Sequence, residues 1–215
     1  MIEPERRLDT VVIAGERFLL ERIVNINLLI DQIDDETFGQ DERLPYWAEL
    51  WPSALALSEY VLENRPDFVS KRVLELGSGL GLCGIAATRA GAQVLFSDYE
   101  YPALKLVRIN FRRNFNRWPA VELLDWRKPE FDGSFDIIIA SDVLYERRWL
   151  EPVNRILNDY IGQGGFAMIA EPGRTVAKPF FKAMLEQGWR DETHNRIVLL
   201  DRKKSKITLH RMQKC

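Results

Sequence analysis

The stretch Val73–Ala87, VLELGSGLGLCGIAA, does most to limit the folds that this chain can adopt. An apolar run of strand length leads into three glycines at alternate positions, and a stretch typical of a helix follows directly. Glycine permits the tight turn and the close backbone approach that such a strand-to-helix connection needs. The stretch therefore predicts one strand–turn–helix unit of an α/β fold, with the glycine turn as a candidate ligand site.

The same alternation continues along the chain. Strand-like and helix-like segments alternate over residues 72–187, and the run Phe135–Ala140 (FDIIIA) is typical of a strand buried on both faces. Glu192–Leu200 and Lys206–Met212 follow as an antiparallel hairpin. This order predicts a Rossmann-like, doubly wound, seven-stranded and mostly parallel sheet that ends in a C-terminal antiparallel hairpin.

A small N-terminal β extension is predicted to precede this sheet. Thr10–Ala14 and Arg17–Ile23 flank Gly15 and Glu16 as the strands of a hairpin would. The segment Asp31–Glu42 then carries acidic residues and no basic one, which is typical of a solvated loop or of a collar that attracts a basic partner. We therefore divide the chain into an extension over residues 1–43 and a main domain over residues 44–215.

Composition argues against several classes of protein. The 215 residues carry a net charge of −2, unlike a generic nucleic-acid or membrane-surface binder. Two cysteines and two histidines lack the spacing of a metal site, so we expect no metal. No apolar run has the length of a signal peptide or a membrane span, and we expect a cytoplasmic monomer without a nucleic-acid or membrane partner.

The glycine turn lacks the residues that hold phosphates. A P-loop needs lysine and then serine or threonine after its second glycine, whereas Leu82 and Cys83 follow Gly81. A dinucleotide fingerprint needs glycine at its sixth position, which is Leu82 here. Asp98 lies 21 residues after Gly77, the spacing that places a carboxylate on a ribose diol. The turn therefore predicts a ligand with a ribose and without a pyrophosphate.

Glu75 interrupts the apolar strand just before the glycines. A buried carboxylate without a partner is costly, so we expect Glu75 to accept a hydrogen bond or to face the cation of a ligand. The alternative interpretation is an acid that stabilises the loop and contacts no ligand.

This set of residues resembles motif I of the class I S-adenosylmethionine (SAM) methyltransferases. The resemblance implies SAM as cofactor, S-adenosylhomocysteine as product, and cofactor contacts from Glu75, Gly77, Ser78, Gly79, Gly81 and Asp98. It also implies that Asp125 reaches the exocyclic amine of adenine and that Trp126 lies beside the ring. The alternative for Trp126 is a loop side chain that covers the edge of the core.

Two segments narrow the resemblance to the seven-strand protein-lysine methyltransferases called family 16. They are Pro45–Val61 (PYWAELWPSALALSEYV) and Ser141–Glu146 (SDVLYE), while PYWAELWP and Glu171–Arg174 together resemble the branch that acts on the electron transfer flavoprotein β-subunit. The resemblance places Trp51 against the cofactor and Ser141 near its methionine end. Alternatively, Trp47 and Trp51, four residues apart, could lie on one helical face and fill the core.

The chemistry of amine methylation fits the end of the FDIIIA strand. The methyl group of SAM is already activated, so the protein mainly has to bring the nucleophile into line. Asp142 could bind the arriving ammonium, and Tyr145 could shield it from water. Glu146 and Glu49 are weaker candidates for residues of the lysine channel. The alternative interpretation is that Asp142 caps the next turn and Tyr145 only packs.

We therefore expect a SAM-dependent methyltransferase that transfers a methyl group directly to a lysine side chain of a protein substrate. Two alternatives share the fold: a small-amine, nicotinamide-like N-methyltransferase, and a protein that binds SAM without catalysis. A nucleic-acid methyltransferase is disfavoured, because Ser141–Tyr145 lacks the prolines of the Asn/Asp-Pro-Pro-aromatic turn that holds a flipped base.

Overall fold

The structure, a computed structural model, describes residues 4–31 and 44–214. The predicted acidic segment lies outside the described residues except for Asp31. The division of the chain at residue 43 stays a prediction.

Seven strands form one sheet. They are β3 (Arg72–Leu76), β4 (Gln93–Asp98), β5 (Ala120–Leu123), β6 (Phe135–Ser141), β7 (Ile161–Glu171), β8 (Trp189–Leu200) and β9 (Lys203–Lys214). Their order across the sheet is β5-β4-β3-β6-β7-β9-β8. Neighbours from β5 to β7 pair in parallel, and β9 pairs antiparallel with both β7 and β8. The predicted Rossmann-like α/β fold with a C-terminal antiparallel hairpin is therefore confirmed.

Helices cover both faces of this sheet. These are α2 (Pro52–Glu63), α3 (Arg65–Phe68), α4 (Leu82–Arg89), α5 (Tyr101–Phe115), α6 (Arg147–Tyr160) and α7 (Lys178–Glu186), while α1 (Asn27–Ile30) buries no residue and 3₁₀ turns form at Tyr46–Ala48 and Thr175–Ala177. Alternate residues of β6 enter opposite cores: Ile139 packs with α2, α4 and α5, whereas Ile138 packs with α6 and α7. The central strand is thus buried on both faces, as its apolar sequence predicts.

The N-terminal hairpin is a separate two-stranded sheet, β1 (Arg6–Ile13) and β2 (Glu16–Ile23). Side-chain amides of α5 continue the hydrogen bonding along the edge of β2. Asn110 accepts from the N–H of Glu21 at 2.7 Å, and Asn114 donates to the carbonyl of Leu19 at 2.9 Å. Because these contacts satisfy backbone groups that an edge strand leaves open, they fix the predicted hairpin against the main sheet's helices.

The two tryptophans before α2 do not share a helical face, so that alternative prediction is wrong. Trp47 lies in the 3₁₀ turn, and Trp51 has extended backbone angles (φ −94°, ψ 143°) immediately before α2. Trp47 packs against the core beside α2 and α4, and Trp51 faces outward into a cavity. The helix α2 begins at Pro52, directly after Trp51, because the fixed φ of proline suits the first helical turn.

Over residues 4–31 and 44–214, no helix is long and apolar enough to cross a membrane. The same described residues bring no three His, Cys, Asp or Glu side chains together as a metal site.

Candidate functional site

A cavity of about 420 Å³ opens at the carboxyl ends of β3, β4 and β6. This is where open parallel sheets bind their ligands. Ten of the predicted site residues line it: Trp51, Gly77, Ser78, Gly79, Asp98, Trp126, Ser141, Asp142, Tyr145 and Glu146. Glu75, Gly81 and Asp125 do not line it.

The glycine turn forms a cradle in the wall of the cavity. Gly77 and Gly79 have φ values of +62° and +53°, which side chains other than glycine rarely adopt. A Cβ on Gly79 would lie 3.2 Å from the carbonyl oxygen of Trp47, and one on Gly77 would lie 3.2 Å from Trp126 and from Val143. Both the backbone conformation and the space therefore require glycine, and the turn leaves its backbone open to a ligand.

Glu75 supports this turn from inside the core. Its Oε1 accepts a hydrogen bond from the N–H of Gly84 at 3.0 Å, and the residue is 3% exposed. Burial raises the pKa of Glu75 to about 8, and the Ser78 hydroxyl and the Gly84 amide offset part of that rise. This geometry matches the alternative in which Glu75 stabilises the loop, and its contact with a ligand stays a prediction.

Asp98 ends β4 and faces the cavity. Its Oδ2 accepts from the N–H of Gly79 and its Oδ1 from the N–H of Glu100, both at 2.9 Å. Burial raises the pKa of Asp98 to about 6, and these two amides offset part of the rise. Each carboxylate oxygen has capacity for a second hydrogen bond, so Asp98 can still accept from two adjacent hydroxyls.

Of the two predicted site residues in the loop after β5, Trp126 lines the cavity and Asp125 does not. Trp126 lines the cavity and packs edge-on against Trp149, with ring centroids 5.6 Å apart. Asp125 instead binds Arg127, with Oδ1 2.8 Å from Nε, and this hydrogen bond holds the pKa of Asp125 below its ordinary value. The Trp126 ring thus lies in the cavity wall, and its place beside a bound ligand stays a prediction, as does the contact of Asp125 with an adenine amine.

Asp142 follows β6 in a left-handed conformation, with φ +57°. Its N–H donates to the carbonyl of Ala170 at 2.8 Å, which ties this turn to β7. Its Oδ1 accepts from Nε of Arg174 at 2.8 Å, and its Oδ2 lies 3.5 Å from the Ser53 hydroxyl. The backbone and Arg174 together hold the Asp142 carboxylate in the cavity wall.

Aromatic rings border the same end of the cavity. The ring of Tyr46 lies edge-on to Tyr145 at 5.7 Å and to Trp51 at 6.1 Å, measured between centroids. Burial raises the pKa of Tyr145 to about 12, so its phenol is neutral near pH 7. Glu146 pairs with Arg148, with Oε2 2.6 Å from Nε. A carboxylate beside aromatic rings is an environment that suits an ammonium or amine.

Tyr46 and Arg174 line the cavity but were not predicted as site residues. Both stand in segments that the sequence singled out, Pro45–Val61 and Glu171–Arg174. Spacing alone could not identify Arg174, because it lies 32 residues from Asp142 and meets it only through the fold.

The residues of the cavity fit SAM. The glycine cradle and Asp98 suit its amino-acid and ribose parts, the Trp126 ring suits a flat base, and the turn itself contributes no cation for a pyrophosphate. The Asp142 end is lined by a carboxylate and aromatic rings, as an amine acceptor needs.

Comparison with known proteins identifies relatives of this chain. The sequence profile of a family described as lysine methyltransferase matches residues 35–187. The electron transfer flavoprotein beta subunit lysine methyltransferase of Rattus norvegicus is 37% identical over 136 residues, which cover 60% of this chain and 51% of that protein. The EEF1A lysine methyltransferase 3 of Mus musculus is 29% identical over 167 residues, 75% of this chain and 71% of that protein.

The match therefore spans about half the length of the rat relative. Among solved structures, magnesium protoporphyrin IX methyltransferase (ChlM) from Synechocystis PCC 6803 with bound SAM has a TM-score of 0.58 at 14% identity. It covers 84% of this chain and 85% of its own. At this identity the likeness concerns the fold.

Proposed function

The chain belongs to the lysine methyltransferase family, and from this premise we propose that it transfers a methyl group from SAM to the side-chain amine of a lysine in a protein substrate. One observation carries the proposal. The glycine cradle and Asp98 share one cavity with Asp142 and Tyr145. A cofactor site that opens directly onto an amine site is what transfer without a covalent enzyme intermediate requires.

The first half of the cavity would hold SAM. Asp98 would accept from the ribose hydroxyls, the backbone of Gly77–Gly79 would approach the amino-acid part, and Trp126 would lie beside the adenine. When bound, SAM supplies a methyl group that its sulfonium has already activated. The residues around it therefore act by binding and orientation.

The second half would bind and aim the lysine. A lysine ammonium has an ordinary pKa near 10.4 and becomes a nucleophile only as the neutral amine. The rings of Tyr46 and Tyr145 displace water from it, which favours the neutral form. The Asp142 carboxylate is placed to bind the arriving ammonium, to accept its proton and to direct the lone pair.

A second cavity of about 590 Å³ favours a protein substrate over a small amine. It shares Glu49, Leu50, Trp51, Asp142 and Arg174 with the first cavity, and it extends to the N-terminal and C-terminal hairpins. A polypeptide that presents its lysine at Asp142 would have room for its neighbouring residues here. A cytoplasmic, monomeric enzyme remains part of the proposal, on the basis of composition.

Labelling of a whole-cell lysate tests the proposed function. The purified chain is incubated with lysate and SAM tritiated in the methyl group, and the labelled proteins are hydrolysed to amino acids. We expect the label in methyl-lysine, with the electron transfer flavoprotein β-subunit as the first purified acceptor to try. Labelled small amines without a labelled protein would favour the nicotinamide-like alternative, and label in methyl-arginine would contradict lysine as the acceptor.

A further inference from the structure

The turn after β7 places the guanidinium of Arg174 against the carboxylate of Asp142, where the lysine is proposed to bind. Nε of Arg174 donates to Oδ1 of Asp142 at 2.8 Å. The Asp142 side chain is 7% exposed and that of Arg174 is 36% exposed. The hydrogen bond to Asp142 raises the pKa of Arg174 above its ordinary value, so the guanidinium stays charged. The pair thus joins a carboxylate in the cavity wall to a cation that reaches solvent.

Hydrogen bonds to the buried Glu171 hold the turn that carries Arg174. Oε2 of Glu171 accepts from the N–H groups of Gly173 and Arg174, both at 2.8 Å. Glu171 is buried and faces His210 at 3.7 Å, and the other ring nitrogen of His210 lies 2.8 Å from Asp191. Groups on β7, β8 and β9 therefore set the backbone of the turn, and the turn sets the direction of the arginine.

Arg174 also lies where the two cavities meet. Arg174 and Asp142 line both cavities, with Trp51 beside them. A lysine that arrives from the second cavity therefore passes the Asp142–Arg174 pair. Arg174 already donates to Oδ1, whereas within the described residues Oδ2 has only the Ser53 hydroxyl at 3.5 Å, so Oδ2 is the more open oxygen for the lysine.

We propose that Arg174 is a positioning residue for the methyl acceptor. It fixes the plane of the Asp142 carboxylate and leaves Oδ2 to receive the lysine, while its positive charge disfavours the protonated form of the amine. This inference rests on the proposed function, because it concerns the same acceptor site. It requires the directed Nε–H donor of the guanidinium as well as the charge, since a lysine at this position ends in a rotating ammonium without a donor fixed in a plane.

Two variants test the role, with a matched control. Arg174→Met removes the charge and keeps the aliphatic stem, and Arg174→Lys keeps the charge. Arg196→Met is the control, because Arg196 makes a 2.7 Å ion pair with Glu63 at 31% exposure and lines neither cavity. Each variant is assayed for kcat and KM on the protein that the wild-type enzyme labels most strongly, for SAM affinity by calorimetry, and for melting temperature.

We expect Arg174→Met to lower kcat about 100-fold, the loss that a 1 Å misplacement of a reacting group produces, with SAM affinity unchanged. Arg174→Lys should recover part of this loss, and Arg196→Met should leave kcat at the wild-type value. Equal kcat in Arg174→Met and the wild type would overturn the inference alone, as would a drop in melting temperature without a change in kcat. If Arg174→Met does not fold, full wild-type kcat in Arg174→Lys overturns the guanidinium requirement. A wild-type enzyme that labels no protein would overturn the proposed function as well.

Discussion

Two aspartates with different surroundings divide the work of the site between them. Asp98 is held by two neutral backbone amides, whereas Asp142 is held by the guanidinium of Arg174. The amides leave Asp98 able to accept from neutral hydroxyls. The arginine binds Oδ1 of Asp142, and Oδ2 keeps a long contact of 3.5 Å with the Ser53 hydroxyl. The same residue type is thus proposed to serve the cofactor at Asp98 and the methyl acceptor at Asp142.

The role of Asp142 leads to a first prediction, for Asp142→Asn. This change keeps the shape of the side chain and removes its charge and its capacity to accept a proton. We expect the rate of methyl transfer to fall about 10³-fold, within the range for loss of a general base. SAM affinity, measured by calorimetry, should be unchanged, because the contacts proposed for the cofactor lie at the glycine turn and Asp98. A loss of SAM binding together with activity would place Asp142 among the cofactor contacts instead.

At the scale of elements, the β3–α4 turn positions the cofactor site by its close packing on the turn before α2. The second prediction is that Gly79→Ala weakens SAM binding tenfold or more, about 1.4 kcal/mol. The new Cβ would meet the backbone carbonyl of Trp47 at 3.2 Å, and a backbone group cannot rotate away as a side chain can.

Gly164→Ala is the matched control for this change. Gly164 has φ +75°, and a Cβ there would meet no atom within 4 Å. Both variants introduce backbone strain of about 1 kcal/mol, and only Gly79→Ala closes the cradle. Equal SAM affinities in the two variants would show that the close approach at Gly79 does not matter for the cofactor.

The pairing of β7, β8 and β9 buries a histidine between two acids, and this arrangement predicts a pH-dependent stability. Burial lowers the pKa of His210, but its hydrogen bonds to Asp191 and Glu171 outweigh burial and raise the pKa above its ordinary value of 6.5. The charged histidine therefore stabilises the fold fully below pH 6.5, and this contribution is lost as pH rises through the folded-state pKa.

The third prediction follows from this sign. His210→Gln should lower the free energy of unfolding more at about pH 6 than at about pH 9, by up to the ~2 kcal/mol typical of a hydrogen bond to a charged group. Urea unfolding at the two pH values measures it. Equal destabilisation at both values would mean that the histidine contributes by packing and not by charge.

At the scale of the whole molecule, the mostly parallel sheet and its closing antiparallel hairpin could be predicted because strand-like and helix-like segments alternate so clearly. β3 lies in the apolar run that precedes the glycines, and the apolar run of β6 is buried on both faces, both as predicted. The short helix α3 and the 3₁₀ turn at Tyr46–Ala48 were not predicted, since elements of three or four residues carry too little periodicity.

The site could be predicted in part, for a related physical reason. Residues at the ends of parallel strands meet at one edge of the sheet, so Gly77, Asp98 and Asp142 could be grouped from their order along the chain. Arg174 reaches the same edge from a turn whose direction depends on tertiary hydrogen bonds to Glu171. Similarly, the sequence did not show that Asp125 forms a salt bridge with Arg127, two positions later, and does not line the cavity.

Calorimetric titration of SAM and of NAD into the wild type and into Asp98→Asn tests the central claim, that the glycine turn and Asp98 hold a ribose without a pyrophosphate. We predict that the wild type binds SAM and not NAD. Asp98→Asn should weaken SAM binding about tenfold or more, since a hydrogen bond to a charged group contributes about 1.5–3 kcal/mol. Binding of NAD with an affinity equal to that of SAM, or no SAM binding by the wild type, would contradict this assignment of the cofactor site.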